Sequence, residues 1–100
     1  MYNREKEIID STVKILVKFM NPSKITLFGS RAKGNNSKNS DFDFAVHTKK
    51  PSISRQREIK DAVDSVIGLY KADIVYLLSV SEEFRHIVNN TGRVVYEKRN

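Results

Sequence analysis

One hundred residues, 39% hydrophobic and 30% charged, fit one small globular domain (1–100) able to bury its apolar side chains without covalent staples. The absence of cysteine excludes a disulfide framework and any thiolate metal site, and is compatible with a reducing cytoplasm. Apolar runs are short, the start Met1-Tyr2-Asn3-Arg4-Glu5-Lys6 lacks the apolar stretch of a signal peptide, and a net charge of +6 favours polyanionic partners such as triphosphates or nucleic acid. A soluble, cytoplasmic protein is expected.

From Arg4 to Met20, Ile8, Ile15, Leu16 and Phe19, with Ile9, Val13, Val17 and Met20 beside them, recur at the spacing of an amphipathic helix, which Asn21-Pro22-Ser23 ends. Lys24 to Phe28 is a short β-branched and aromatic run closed by Gly29, as in a buried strand entering a tight turn. Arg31 to Ser40 reads as a brief helical turn followed by a polar, basic, flexible loop around Gly34. Asp41 to His47 alternates polar and aromatic residues before turning apolar, the pattern of a strand with one face open to water or a ligand. Ile59, Val63, Val66, Ile67 and Tyr70 mark a second long helix over Ser54–Leu69, with Gly68 near its end. Ala72 to Leu78 is a third strand, and Ser79-Val80-Ser81-Glu82-Glu83 offers capping chemistry to a helix carrying Phe84, Ile87 and Val88, with Gly92 as its C-terminal cap. Arg93 to Glu97 is a fourth strand. The alternation predicts an α/β (α+β) fold, a small mixed sheet of about four strands packed by helices, with no internal repeat or dividing linker.

Chemistry concentrates in Gly29-Ser30, ten intervening residues, and Asp41-Phe42-Asp43. Residues two apart on a strand share a face, with Cα atoms about 6.5–7 Å apart, so Asp41 and Asp43 can converge on cations above one surface while Phe42 and Phe44 enter the core. Carboxylate oxygens combined with substrate phosphates suit magnesium. A glycine at a strand end lets backbone approach a phosphate, with N–H groups and the Ser30 hydroxyl as donors, and Arg31 and Lys33 add positive charge to the turn. Asp73 begins the next strand, where pairing with the Asp41 strand would bring a third carboxylate alongside as ligand or base.

Taken singly, a Gly-Ser is usually a turn and Asp-x-Asp a solvated strand edge; order and spacing carry the functional reading. An EF-hand would need a further oxygen ligand and then glycine where Ala45 and Val46 stand, and a P-loop would need Gly-Lys-Ser/Thr after Gly29. His47 and His86 are isolated and read as strand-end or surface residues.

GSRAKGNNSKNSDFDFAV resembles the Gly-Ser, ten residues, Asp-x-Asp signature of the polymerase-β-like nucleotidyltransferase superfamily, in its minimal branch, and KADIVYL is similar to the strand bearing that family's third carboxylate. The resemblance implies two Mg2+ ions held by Asp41, Asp43 and Asp73 as catalytic and metal-binding residues, and a nucleotide-binding turn at Gly29 and Ser30, with Arg31 or Lys33 assisting electrostatically. Minimal members are similar to antitoxins paired with HEPN-domain ribonuclease toxins, some of which they silence by adding AMP to a tyrosine. That implies ATP as donor and a hydroxyl on a helical HEPN-type partner as acceptor, in a homo- or hetero-oligomer. Larger members carry extra acceptor-binding domains, whereas this chain is expected to depend on its partner to present the acceptor. The competing reading is a non-catalytic module that binds a toxin or RNA by contact alone; against RNA, most aromatics fall at core periodicity.

Overall fold

The computed structural model describes residues 3–33 and 41–99, with backbone only at Ser30 and Lys33, so the expected loop around Gly34 lies outside the described residues. Helix α1 spans Arg4–Met20, where the sequence pattern places it. Asn3 caps it by accepting a hydrogen bond from the Lys6 N–H at 3.2 Å, and Glu5 and Glu7 complement the positive end of the helix dipole. It ends at Asn21, which takes the left-handed conformation (φ 47°) and donates its N–H to the Val17 carbonyl. Ile8 and Leu16 are fully buried on its inner face.

Strand β1 (Lys24–Phe28) leads into the one-turn helix α2 (Ser30–Lys33), and strand β2 covers Phe42–Val46. Helix α3 (Ile53–Ile67), capped by Ser52, crosses to strand β3 (Ala72–Tyr76). A 3-10 turn at Leu77–Ser79 precedes helix α4 (Glu82–Thr91), and strand β4 (Arg93–Glu97) follows. The sheet order is β3-β2-β1-β4; β2 and β3 run parallel, and β1 is antiparallel to both β2 and β4.

Strand alternation sorts side chains onto two faces. Ile25 and Leu27 of β1, Phe42, Phe44 and Val46 of β2, and Ala72 of β3 join Ile8, Leu16, Ile59, Val63 and Ile67 in the main core beneath α1 and α3. On the other face Ala45 meets Leu77 and Val88 under α4, with Phe28 edge-on to Phe84 at 5.8 Å between ring centres. Asp43 and Asp73 belong by alternation to this second face, which α4 covers only in part.

Several boundaries differ from the sequence pattern. β2 starts at Phe42, so Asp41 precedes the strand. β3 stops at Tyr76, because the chain tightens into the 3-10 turn that buries Leu77 and gives the Leu78 N–H to the Thr48 carbonyl. α3 begins one residue earlier and ends at Ile67, since Gly68 turns the backbone to φ +64° and leaves Leu69 fully exposed. Gly92 caps α4 with φ −83°, outside the left-handed region. A Cβ there would lie 2.4 Å from Thr26 Cγ2 and 2.6 Å from the Val88 carbonyl oxygen, so close packing explains the glycine.

Candidate active site

The site forms where the C-terminal end of β1 meets the N-terminal ends of β2 and β3. Phe28 pairs with Asp43 across the antiparallel ladder, and Asp43 pairs with Asp73 across the parallel one. A central aspartate therefore has the glycine turn on one side and a second aspartate on the other. Gly29 takes φ +77°, and a Cβ built on it would stand 2.5 Å from Asp43 Oδ2. Only a bare Cα lets the turn approach the carboxylate this closely.

The neighbouring carboxylates act on Asp43 electrostatically. Burial raises the pKa of Asp43 above the ordinary carboxylate value, and the negative charges of Asp73 and then Asp41 push it further up. A side-chain hydrogen bond with Asp73 acts in the same direction. Asp41 and Asp73 are themselves exposed. The structure thus brings together Asp41, Asp43, Asp73 and the Gly29 backbone.

Among the described residues no trio of acidic or imidazole side chains is already closed at metal-binding spacing. The donor chemistry nevertheless fits a hard divalent cation: three carboxylates around one end of the sheet, one of them disfavoured as an anion by burial and then by its neighbours. A cation shared by Asp43 with Asp41 or Asp73 would relieve that repulsion.

Arg31 departs from its expected place. Its side chain is only 4% exposed, donates to Glu5 Oε2 at 2.8 Å, and lies 3.9 Å over the Phe42 ring and 5.4 Å from that of Tyr70. Phe42 faces α1 and α3, whereas Asp43, the next residue on the strand, faces the opposite side of the sheet. The Arg31 guanidinium therefore lies on the core side of the strand that carries Asp43, opposite the face where its sequence position suggests an electrostatic aid to phosphate. Sequence reasoning missed its partners Glu5 and Tyr70. Nothing in the spacing links positions 5 and 31, and Glu5 reads as an ordinary first-turn acid.

Beside Asp73 a groove of about 350 Å³ runs between α3 and β3, lined among others by Ile53, Arg57, Lys60 and Ile74. His47 lies at the opposite end of β2, with Nε2 3.3 Å from Thr26 Oγ1, and takes no part in the carboxylate cluster.

The chain is a nucleotidyltransferase that belongs to the polymerase beta nucleotidyltransferase family, whose model matches residues 10–100. It is 33% identical over 102 residues to the protein adenylyltransferase MntA of Aphanizomenon flos-aquae (strain 2012/KM1/D3), covering 92% of this chain and 68% of that relative. A crystal structure of a toxin–antitoxin with AMP-PNP aligns with a TM-score of 0.76 and 26% identity over 91% of this chain and 74% of its own. A mutant of the toxin–antitoxin MntA-HpeT shares the fold, with a TM-score of 0.72, 22% identity and coverage of 98% and 75%. The likeness to the minimal branch and the mixed four-stranded sheet are both borne out.

Proposed function

We propose that this chain transfers AMP from ATP to a hydroxyl on a HEPN-type toxin partner, acting as its antitoxin with two magnesium ions. The observation that carries the reading is the register Phe28↔Asp43↔Asp73, with the bare Cα of Gly29 against the Asp43 carboxylate. Support comes from a relative named as a protein adenylyltransferase and from a toxin–antitoxin related in structure that holds AMP-PNP. A donor such as ATP fits work in the cytoplasm, and among the described residues no helix is long and apolar enough to cross a membrane.

In this reading the turn at Gly29 and Ser30 offers backbone N–H groups to the β- and γ-phosphates, with Lys33 adding charge nearby. Asp41 and Asp43 would hold the cations together with the phosphates, and Asp73 would complete the set on the acceptor side. When bound, the ions would lower the cost of the charge that develops on the acceptor and departing oxygens. The acceptor oxygen bonds to the α-phosphorus as the bond between that phosphorus and the bridging oxygen breaks. Pyrophosphate leaves with the electron pair, and Asp73 receives the hydroxyl proton.

Intact-mass spectrometry of the partner after incubation with the chain, magnesium and ATP tests the proposal. One added AMP is expected, and Asp73→Asn should lose most of it while still binding the partner. Neutralisation by contact alone makes the opposite forecast: the Asp41, Asp43 and Asp73 variants would all silence the toxin, with no mass change on either protein.

A further inference from the structure

We infer that Arg31 is a positioning residue that sets the nucleotide-binding turn against the carboxylate strand from beneath the sheet, with Glu5, Phe42 and Tyr70 among the partners that hold it there. The inference rests on the proposed use of Gly29 and Ser30 for the triphosphate. Gly29 and Arg31 are two residues apart and engage the same strand from its two sides. Above the sheet the Gly29 Cα meets the carboxylate of Asp43; below it the Arg31 guanidinium covers the ring of Phe42, the residue between Asp41 and Asp43. The turn is thus gripped on both faces at the point where the cluster begins.

The grip reaches the rest of the site through charge and stacking. Glu5 on α1 accepts from Arg31 at 2.8 Å and lies 4.0 Å from Arg93 on β4, which anchors the guanidinium to two further elements. Tyr70 stands edge-on to Phe42 at 5.7 Å, and the Phe42 N–H donates to the carbonyl of Lys71, two residues before Asp73. One planar cation therefore touches α1 through Glu5, the strand that carries Asp43 through Phe42, and, at Tyr70, the approach to Asp73. Arginine suits this position because its flat guanidinium can stack on a ring and donate to a carboxylate together, whereas a lysine ammonium is a compact point charge. Because α2 is a single turn, too short to be stable alone, its placement must come from contacts outside it.

The test compares Glu5→Gln, Arg31→Lys and wild type by ATP affinity in magnesium and by hydrogen exchange at the amides of residues 29–32 without nucleotide. Glu5 is an anion on the far side of the sheet from the carboxylate cluster. If Arg31 touched phosphate directly, Glu5→Gln would free the guanidinium and leave affinity level or tighter, and Arg31→Lys would keep most of it. The brace predicts that both variants weaken ATP binding about tenfold, as loss of alignment at a site does. It also predicts that both speed exchange at residues 29–32 while the core strands stay protected. A purely structural role would lower the melting temperature and raise exchange everywhere, with the affinity of the folded fraction unchanged; that result overturns the inference, as does wild-type exchange at residues 29–32 in both variants. Should wild type fail to bind ATP, the proposed nucleotide site falls, and the exchange arm still decides whether Arg31 holds the turn.

Discussion

Asp43 and Asp73 face each other in register on adjacent parallel strands, and after burial the charge of Asp73 is what most disfavours the Asp43 anion. A fold under selection for stability alone would place an apolar or oppositely charged pair there, because like charges opposite one another on a sheet are destabilising. Packing the Gly29 turn onto Asp43 then removes part of the water that would screen it. The pair makes physical sense as half of a cation site.

The first prediction follows from the sign of that shift. The pKa of Asp43 is raised in the folded state, by burial first and then by Asp73 and Asp41, so folding disfavours its charged form. The penalty is absent below the unfolded value, near ~3.9, and grows as pH rises from there through the folded pKa. In chelator, Asp43→Asn should therefore melt above wild type at pH 7, and the gain should vanish near pH 3. Solvent screening at this half-buried site keeps the gain to about a few degrees. Thermal unfolding between pH 3 and 8 measures it, and transfer activity should be lost in the same variant. A lower melting temperature at pH 7 would show that Asp43 is structural.

Gly29 makes a second prediction. An alanine there would hold φ +77° at a cost of about 1–2 kcal/mol and drive its Cβ into Asp43 Oδ2. Melting should fall by about 4–8 °C per kcal/mol, and transfer should fall further than the loss of folded protein explains. Gly92→Ala is the control, because its Cβ would clash with Thr26 and the Val88 carbonyl under α4, away from the acids. It should lose stability but keep its activity per folded molecule. Equal specific activity of the two variants would detach Gly29 from the chemistry.

Local signals were legible where local physics decides. The spacing of Ile8, Leu16 and their neighbours, with Asn21-Pro22 as a stop, located α1, and the β-branched runs located β1 and β4. The juxtaposition of Asp43 and Asp73 was legible because period-two alternation and a strand pairing suffice to bring them together, with Asp41 just before the strand. The end of β3 was not, since Leu77 and Leu78 suit a strand and only the burial of Leu77 beneath α4 selects the 3-10 turn. Nor was the placement of Arg31. A basic residue beside a phosphate-binding motif reads as an anion contact until the ring of Phe42 and the carboxylate of Glu5 are seen around it.

His47 gives a pH dependence of a different origin. Burial, then Lys24 and Arg85, hold its pKa below the ordinary histidine value, so the folded protein prefers the neutral ring. Stability should be complete above about pH 6.5 and decline as pH falls from there through the folded pKa. Urea midpoints between pH 5 and 8 should show this decline, and His47→Gln should flatten it. A decline of the same size in the variant would assign it to other groups.

The last prediction concerns ATP and metal together. ATP carries several negative charges, and the three aspartates at this edge would repel it, most directly at Asp43, where charge is already disfavoured. A divalent cation meets the same groups with the opposite sign, so each ligand should improve the site for the other, and the coupling must be equal in both directions. Calorimetry should find ATP binding about tenfold or more tighter with magnesium than with chelator, a gap within the usual range of linked sites. Asp43→Asn should narrow the gap from both ends, since it removes a donor for the cation and a repulsive charge in its absence. The net charge of +6 offers a rival explanation, because a basic surface attracts ATP without using the site. That attraction should weaken steeply with added potassium chloride, whereas contacts through a bound cation at the partly buried Asp43 should resist screening. Equal ATP affinity in magnesium and in chelator, unchanged by Asp43→Asn and abolished by salt, would place the nucleotide on the basic surface and remove the aspartates from its binding.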